Sequence, residues 1–222
     1  LNELIARGEL GKVQYVYSTR LNIGKFRREE NILWSFAPHD ISTILLLVGQ
    51  MPSTVQASGG TYLQPGIPDV TITALAFPNG VKGHVFVSWL HPFKEQKLVV
   101  VGDKKMAVMD DLSKEKLVLY PHHVDWIDRV PVARKADAEV VPVQAEEPLA
   151  IECRHFLDCV ERRARPQTDG REALRVLEVL DASQVSLDRE GAAVRIGEVN
   201  EPTQQGYQRH PTALVDQPCE IQ

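Results

Sequence analysis

Apolar and polar positions alternate over residues 12–22, with Val13, Tyr15, Tyr17, Thr19 and Leu21 on one side and Gln14, Ser18, Arg20 and Asn22 mostly opposite. A period of two marks a strand with one apolar face. Before it, Leu1, Leu4 and Ile5 share a face of a short helix that Gly8 stops. After it, residues 23–36 are irregular and charged, carrying Lys25, Arg27, Arg28, Glu29 and Glu30. Pro38 suits the first turn of a helix, where its missing N–H costs nothing. Ile41, Ile44, Leu45 and Val48 continue that helix on one face, and Gly49 closes it.

A long run of strands follows, over residues 54–63, 69–77, 81–90, 97–102, 105–110 and 116–120. Pro78-Asn79-Gly80 and Gly102-Asp103-Lys104 read as hairpin turns between alternating segments. Successive hairpins mean an antiparallel meander rather than a doubly wound parallel sheet. Residues 122–139 stay open between loop and a further short strand. Glu146-Glu147-Pro148 then places acids and a proline at a helix start, and Leu149, Cys153, Phe156 and Val160 step along one face. A second amphipathic helix over 170–188 carries Leu174, Leu177 and Leu180, and 192–196 suits a last strand. The expected fold class is α+β: an open, mostly antiparallel sheet with helices packed on one face. The strands 69–77 and 81–90 are apolar on both faces, so the face without helices is expected to pair with a second copy.

Composition narrows the class. The chain has 222 residues, and its net charge of −5 argues against a generic nucleic-acid binder. No apolar run approaches the ~20 residues of a membrane span. Three cysteines make no disulfide framework, which points to a reducing compartment and a cytoplasmic location. Beginning on Leu1 rather than Met, the chain reads as a piece of something longer.

Candidate chemistry is sparse. There is no GxGxxG after an apolar strand and no Walker loop, so the chain alone is not expected to cradle a dinucleotide pyrophosphate. Cys153, His155 and Cys159 lack the second pair that a zinc site needs, and no metal is expected. His39 stands apart. Read in the first turn of its helix, next to Asp40 and after a loop bearing Arg28 and Asn31, it has the setting of a neutral imidazole that accepts a proton. The plain alternative is a histidine that helps cap the helix, with the loop charges in water.

The segment Arg28-Glu29-Glu30-Asn31-Ile32-Leu33-Trp34-Ser35-Phe36-Ala37-Pro38-His39-Asp40-Ile41-Ser42 resembles the active-site stretch in the glucose–fructose oxidoreductase/inositol dehydrogenase/MocA family, in its C-terminal domain. More narrowly, it is similar to the branch oxidising the 3-hydroxyl of UDP-N-acetylglucosaminuronate. Glu147-Pro148-Leu149, Cys153-Arg154-His155-Phe156 and Pro166-Gln167-Thr168-Asp169-Gly170 resemble later signatures of that branch. The resemblance implies an NAD-dependent oxidoreductase whose histidine, here His39, is the acid/base residue. It implies Arg28, Asn31, Ser35 and Asp40 near the sugar-nucleotide substrate. It also implies a lysine and the NAD site on an N-terminal Rossmann domain absent from this chain, leaving the isolated chain inactive. The product would serve surface polysaccharide sugar biosynthesis.

On this reading residues 1–200 form the substrate-binding and oligomerisation domain. Residues 201–222 form a linker and the start of another domain, because His210-Pro211-Thr212-Ala213-Leu214-Val215-Asp216 and Pro218-Cys219-Glu220-Ile221 resemble the opening of a left-handed β-helix acyltransferase. The rival reading is a non-catalytic domain that assembles through its sheet or only binds sugar.

Overall fold

In the computed structural model residues 1–143 and 146–197 are described, so the expected linker and acyltransferase start over 201–222 lie outside the described residues. In chain order the elements are α1 (Asn2–Ala6), β1 (Val13–Leu21), α2 (Ile32–Val48), β2 (Thr54–Gly60), β3 (Val70–Ala76), β4 (Lys82–Ser88) and β5 (Glu95–Gly102). They continue as β6 (Met106–Asp110), β7 (Leu117–Tyr120), β8 (His123–Ile127), β9 (Val130–Arg134), β10 (Glu139–Val140), α3 (Pro148–Arg162), α4 (Gly170–Asp188) and β11 (Val194–Arg195).

Nine strands form one sheet in the order β10-β7-β6-β5-β1-β4-β3-β2-β11. Two antiparallel meanders, β2–β3–β4 and β5–β6–β7, follow from the expected turns, with Gly80 at φ +88 completing the first. Between them lies β1. It runs antiparallel to β5 and parallel to β4, in register from Tyr15↔Lys82 to Leu21↔Ser88. The ambiguous stretch 122–139 holds the separate hairpin β8–β9 and leads into β10 at the sheet edge.

One face of the sheet carries α2 and α4, which also pack on each other. Beneath them Val16, Val55, Leu75, Val85, Val87 and Val100 are buried, under Ile32, Leu33, Ala37, Ile41, Ile44 and Leu45 of α2. The expected apolar side of β1 is not the side that meets the helices. Val16 and Ser18 are buried there, while Tyr15, Tyr17 and Thr19 line the opposite face, half-buried. Both faces of this sheet carry apolar residues, so alternation alone does not say which one the helices cover.

The second helix begins earlier than expected. Asn31 is its N-cap, accepting from the Trp34 N–H, and Pro38 lies inside it. An internal proline costs about 3 kcal/mol. Burying Ile32 and Leu33 in the first turn returns about 1.5–3 kcal/mol each, and the cap adds to that. The helix therefore extends through the proline.

On the helix-covered side, the Oγ1 atoms of Thr71 and Thr73 and the Oγ of Ser18 are buried without a hydrogen-bond partner among the described residues. An unmatched hydroxyl costs more than an isosteric methyl. Thr73→Val should therefore raise unfolding stability by about 1 kcal/mol, read as a higher urea midpoint at unchanged slope. A lower midpoint would show that the hydroxyl is in fact satisfied.

Candidate active site

Two turns inside α2, His39 is exposed on the crown of the helix. This corrects the expected position in the first turn: the helix starts at Ile32, and its dipole acts within the first turn only. The argument from a helix N-terminus therefore does not apply to His39. What the position provides is access. Ser35 lies one turn earlier on the same crown, at the i, i+4 spacing where side chains meet. Thr43 lies one turn later and donates its hydroxyl to the His39 carbonyl at 2.9 Å.

The neighbouring Asp40 points the other way, into the protein. Its side chain is only 8% exposed, and Arg20 at the end of β1 donates Nε to its Oδ2 at 2.6 Å. The pair forms one wall of a cleft of about 280 Å3, completed by Thr43, Gln96, Lys97 and Asp111 over a floor of Leu98, Met109 and Pro148. Donors, acceptors and an apolar floor in one cleft suit a hydroxyl-rich ligand.

The remaining expected residues lie elsewhere. Arg28 is exposed in the loop before α2, where its own backbone N–H donates to Glu29. Asn31 sits at the helix start and faces α4. Its carbonyl oxygen caps α2 and its amide donates to Gln184 Oε1 at 2.8 Å, which also receives the Trp34 indole N–H. The structure thus brings His39, Ser35 and Asp40 onto one helix and gives Asn31 a structural task. Arg20, Thr43 and Gln96 escaped the sequence reading. The available signal was Asp40 itself, a charge placed within an apolar helix stripe and therefore in need of a buried partner.

Among the described residues the helix N-termini do not suit a dinucleotide pyrophosphate. Those of the three long helices are capped by Asn31, Glu147 and Asp169, two of them carboxylates. The Arg165 guanidinium and the amides of Glu172 and Arg171 hold the Asp169 carboxyl at about 2, so it stays charged at neutral pH. Among the described residues no group of three His, Cys, Asp or Glu side chains could hold a metal, and no helix is long and apolar enough to cross a membrane.

An open, mainly antiparallel sheet with a helical layer on one face defines an α+β domain. Residues 1–108 match the GFO/IDH/MocA C-terminal domain. No curated protein matches the sequence. Among solved structures, UDP-N-acetylglucosamine 3-dehydrogenase GnnA from Acidithiobacillus ferrooxidans is similar at 22% identity and TM-score 0.70, over 85% of this chain and 59% of that one. Levoglucosan dehydrogenase in complex with NADH and levoglucosan is similar at 17% identity and TM-score 0.72, over 89% and 62%. An NADPH-dependent oxidoreductase from Desulfitobacterium hafniense, described as putative in its own name, is similar at 21% identity and TM-score 0.69, over 89% and 61%. The chain spans about three fifths of the length of these structures. At these identities the likeness shows the fold.

Removing one member of a buried ion pair leaves the other charge unmatched. Arg20→Met should cost about 3–5 kcal/mol of stability. Adding Asp40→Leu should recover much of that loss. A denaturation series on the two single variants and the double variant checks this, and a loss below ~1 kcal/mol in Arg20→Met would show the pair to be solvated.

Proposed function

We propose that this chain is the substrate-binding, proton-handling half of a nicotinamide-dependent dehydrogenase that oxidises a ring hydroxyl of a sugar nucleotide. The observation that carries the reading is the placement of His39, exposed on α2 next to Asp40 and one turn before Thr43, both of which line the cleft with Arg20 and Gln96. Support comes from the family match over residues 1–108 and from relatives named as sugar dehydrogenases, one of them in complex with NADH. The C3 hydroxyl of a UDP-N-acetylhexosaminuronate is the proposed target, in surface polysaccharide synthesis in the cytoplasm. NAD and its hydride-accepting ring belong on an N-terminal Rossmann domain outside this chain. The tail motif over 210–221 stays assigned to the start of an acyltransferase.

In the proposed reaction His39 takes the proton of the hydroxyl as the carbon is oxidised. Ser35, one turn away, would hold the same hydroxyl, and Arg20 and Gln96 would hold neighbouring ones. Asp40 acts at one remove by fixing Arg20. Arg28 is placed to meet the nucleotide end from the loop before α2.

In the full-length protein His39→Ala should lower kcat by ~10²–10⁴-fold with a smaller change in KM. Because His39 is exposed, the melting temperature should hardly move. NADH production and a melting curve on both proteins decide it. Wild-type turnover in the variant would leave the chain as a binding or assembly domain.

The open sheet face favours assembly as well. Ile72, Phe86, Tyr15 and Tyr17 lie on it, and Ile72 is 48% exposed in the middle of a strand. We propose that a second copy covers it. His84 sits in this face, stacked on Tyr17 at 5.0 Å, with its Nδ1 2.5 Å from the Tyr15 hydroxyl and Lys82 two residues away on the same side. Burial pushes its pKa below the ordinary 6.5, which favours the neutral ring. The stabilisation is complete above that value and is lost as pH falls through the lowered one. Sedimentation at tens of micromolar should show a dimer that Phe86→Lys abolishes, while unfolding stability, measured separately, should fall as pH drops below 6.5. A monomer at neutral pH would contradict the assignment.

A further inference from the structure

Two loops leave the polar cleft side by side. Residues 22–31 follow Arg20 out of β1, and residues 89–94 lead from β4 into Gln96 of β5, where Arg20 and Gln96 are register partners. The loops are joined to each other. The Asn22 N–H donates to the Ser88 carbonyl at 3.1 Å, and the Phe26 ring stands edge-on to Trp89 at 6.0 Å. Asp69 anchors the junction by accepting from the indole N–H of the buried Trp89. Read outward from the cleft, both loops carry the same groups in the same order: Lys25 then Phe26, and Lys94 then Phe93. Neither lysine has an ion-pair partner among the described residues, although Arg27 beside them is paired with Glu30. Glu95, next to Lys94, turns to the opposite face of the sheet and accepts from Thr19 Oγ1 at 2.8 Å. Phe26 is 43% exposed and Phe93 62%. One neighbour pins each ring, Trp89 for Phe26 and His91, at 4.5 Å, for Phe93. A ring already held in place offers a flat face at little further cost in side-chain entropy.

We propose that these two loops form a nucleoside diphosphate subsite continuous with the cleft, with the diphosphate between Lys25 and Lys94 and the base against Phe26 and Phe93. The inference rests on the dehydrogenase reading, which puts the sugar in the cleft. A sugar nucleotide is a polar ring, a charged diphosphate and a planar base in line. From Arg20 and Gln96 outward the protein presents polar groups, cations and aromatic faces in that same order. Ammonium groups attract phosphate oxygens as point charges, and every base has a face that stacks on an aromatic ring. The subsite therefore selects a nucleoside diphosphate rather than one particular base. His39 stands about 12 Å along α2 from Asn31, where the loop 22–31 ends. The reacting hydroxyl and the base thus lie at opposite ends of an extended ligand. A bare sugar would fill the cleft and leave both lysines and both rings without a partner.

The test uses the full-length protein and UDP as the probe, since the GnnA relative is named for a UDP-sugar. Calorimetry should show UDP binding in the absence of sugar, and Phe93→Ala should weaken it about tenfold. Phe93→Tyr, which keeps the stacking face, should restore the affinity. Lys25→Gln combined with Lys94→Gln should also weaken UDP binding and make what remains less sensitive to salt. In turnover, Phe93→Ala and the double lysine variant should raise the KM for the sugar nucleotide far more than they lower kcat. Their melting temperatures should hardly move, because all three side chains are exposed. UDP binding that is absent, or equal in wild type and Phe93→Ala, overturns the proposal. A loss in Phe93→Tyr as large as that in Phe93→Ala overturns it too. Equal KM for the sugar with and without its nucleotide also overturns it, and leaves the dehydrogenase reading standing. If UDP binds as expected but no sugar nucleotide reduces NAD, the dehydrogenase reading fails and the subsite stands.

Discussion

The parallel pairing of β1 with β4 is the constraint on which the rest of the molecule depends. Without β1 the sheet is two antiparallel meanders with nothing between them. A strand that lies parallel to its neighbour cannot be joined to it by a tight turn, so the chain must cross over the sheet before returning. Here it crosses first as α2, laid over Val16, Val85 and Val87. That crossover brings the middle of α2 above the end of β1, where Asp40 meets Arg20. The ion pair, the cleft and the exposed crown all follow from one topological choice.

What the sequence makes legible is what local spacing controls. The two meanders announce themselves by period-two runs and by Pro78-Asn79-Gly80 and Gly102-Asp103-Lys104, where the chain has to reverse. The helices 148–162 and 170–188 declare their starts through acids and caps, as at Asp169. The position of β1 is not legible, because its partners lie far along the chain and its residues do not name them. Nor is its covered face, since Tyr15 and Tyr17 compete with Val16 for the core and the second surface of the sheet is apolar too. Pro38 misdirects the start of α2, because its local penalty is visible and the burial of Ile32 and Leu33 that outweighs it is tertiary.

The candidate site divides along the same line. His39, Ser35 and Asp40 belong to one contiguous motif. Arg20 and Gln96 come to Asp40 and Thr43 from separate strands, and neither stands in a recognisable pattern. Asn31 looked like a ligand donor because amides near charged loops often are. Its hydrogen bonds go instead to the helix start and to Gln184, which fastens α2 to α4.

The central placement of β1 also sets an order of events during synthesis. Emerging before any of its partners, this strand carries a row of open backbone groups and apolar side chains on both surfaces. Its hydrogen-bonding neighbours, from Lys82 onward and then from Glu95 to Gly102, arrive only after β2 and β3 have been made. Pairings this distant in sequence close slowly and leave unpaired edges exposed meanwhile. The segment from Val13 to Gly49 therefore waits longest for its partners, and β1 is paired on both edges only when Gly102 has left the exit tunnel.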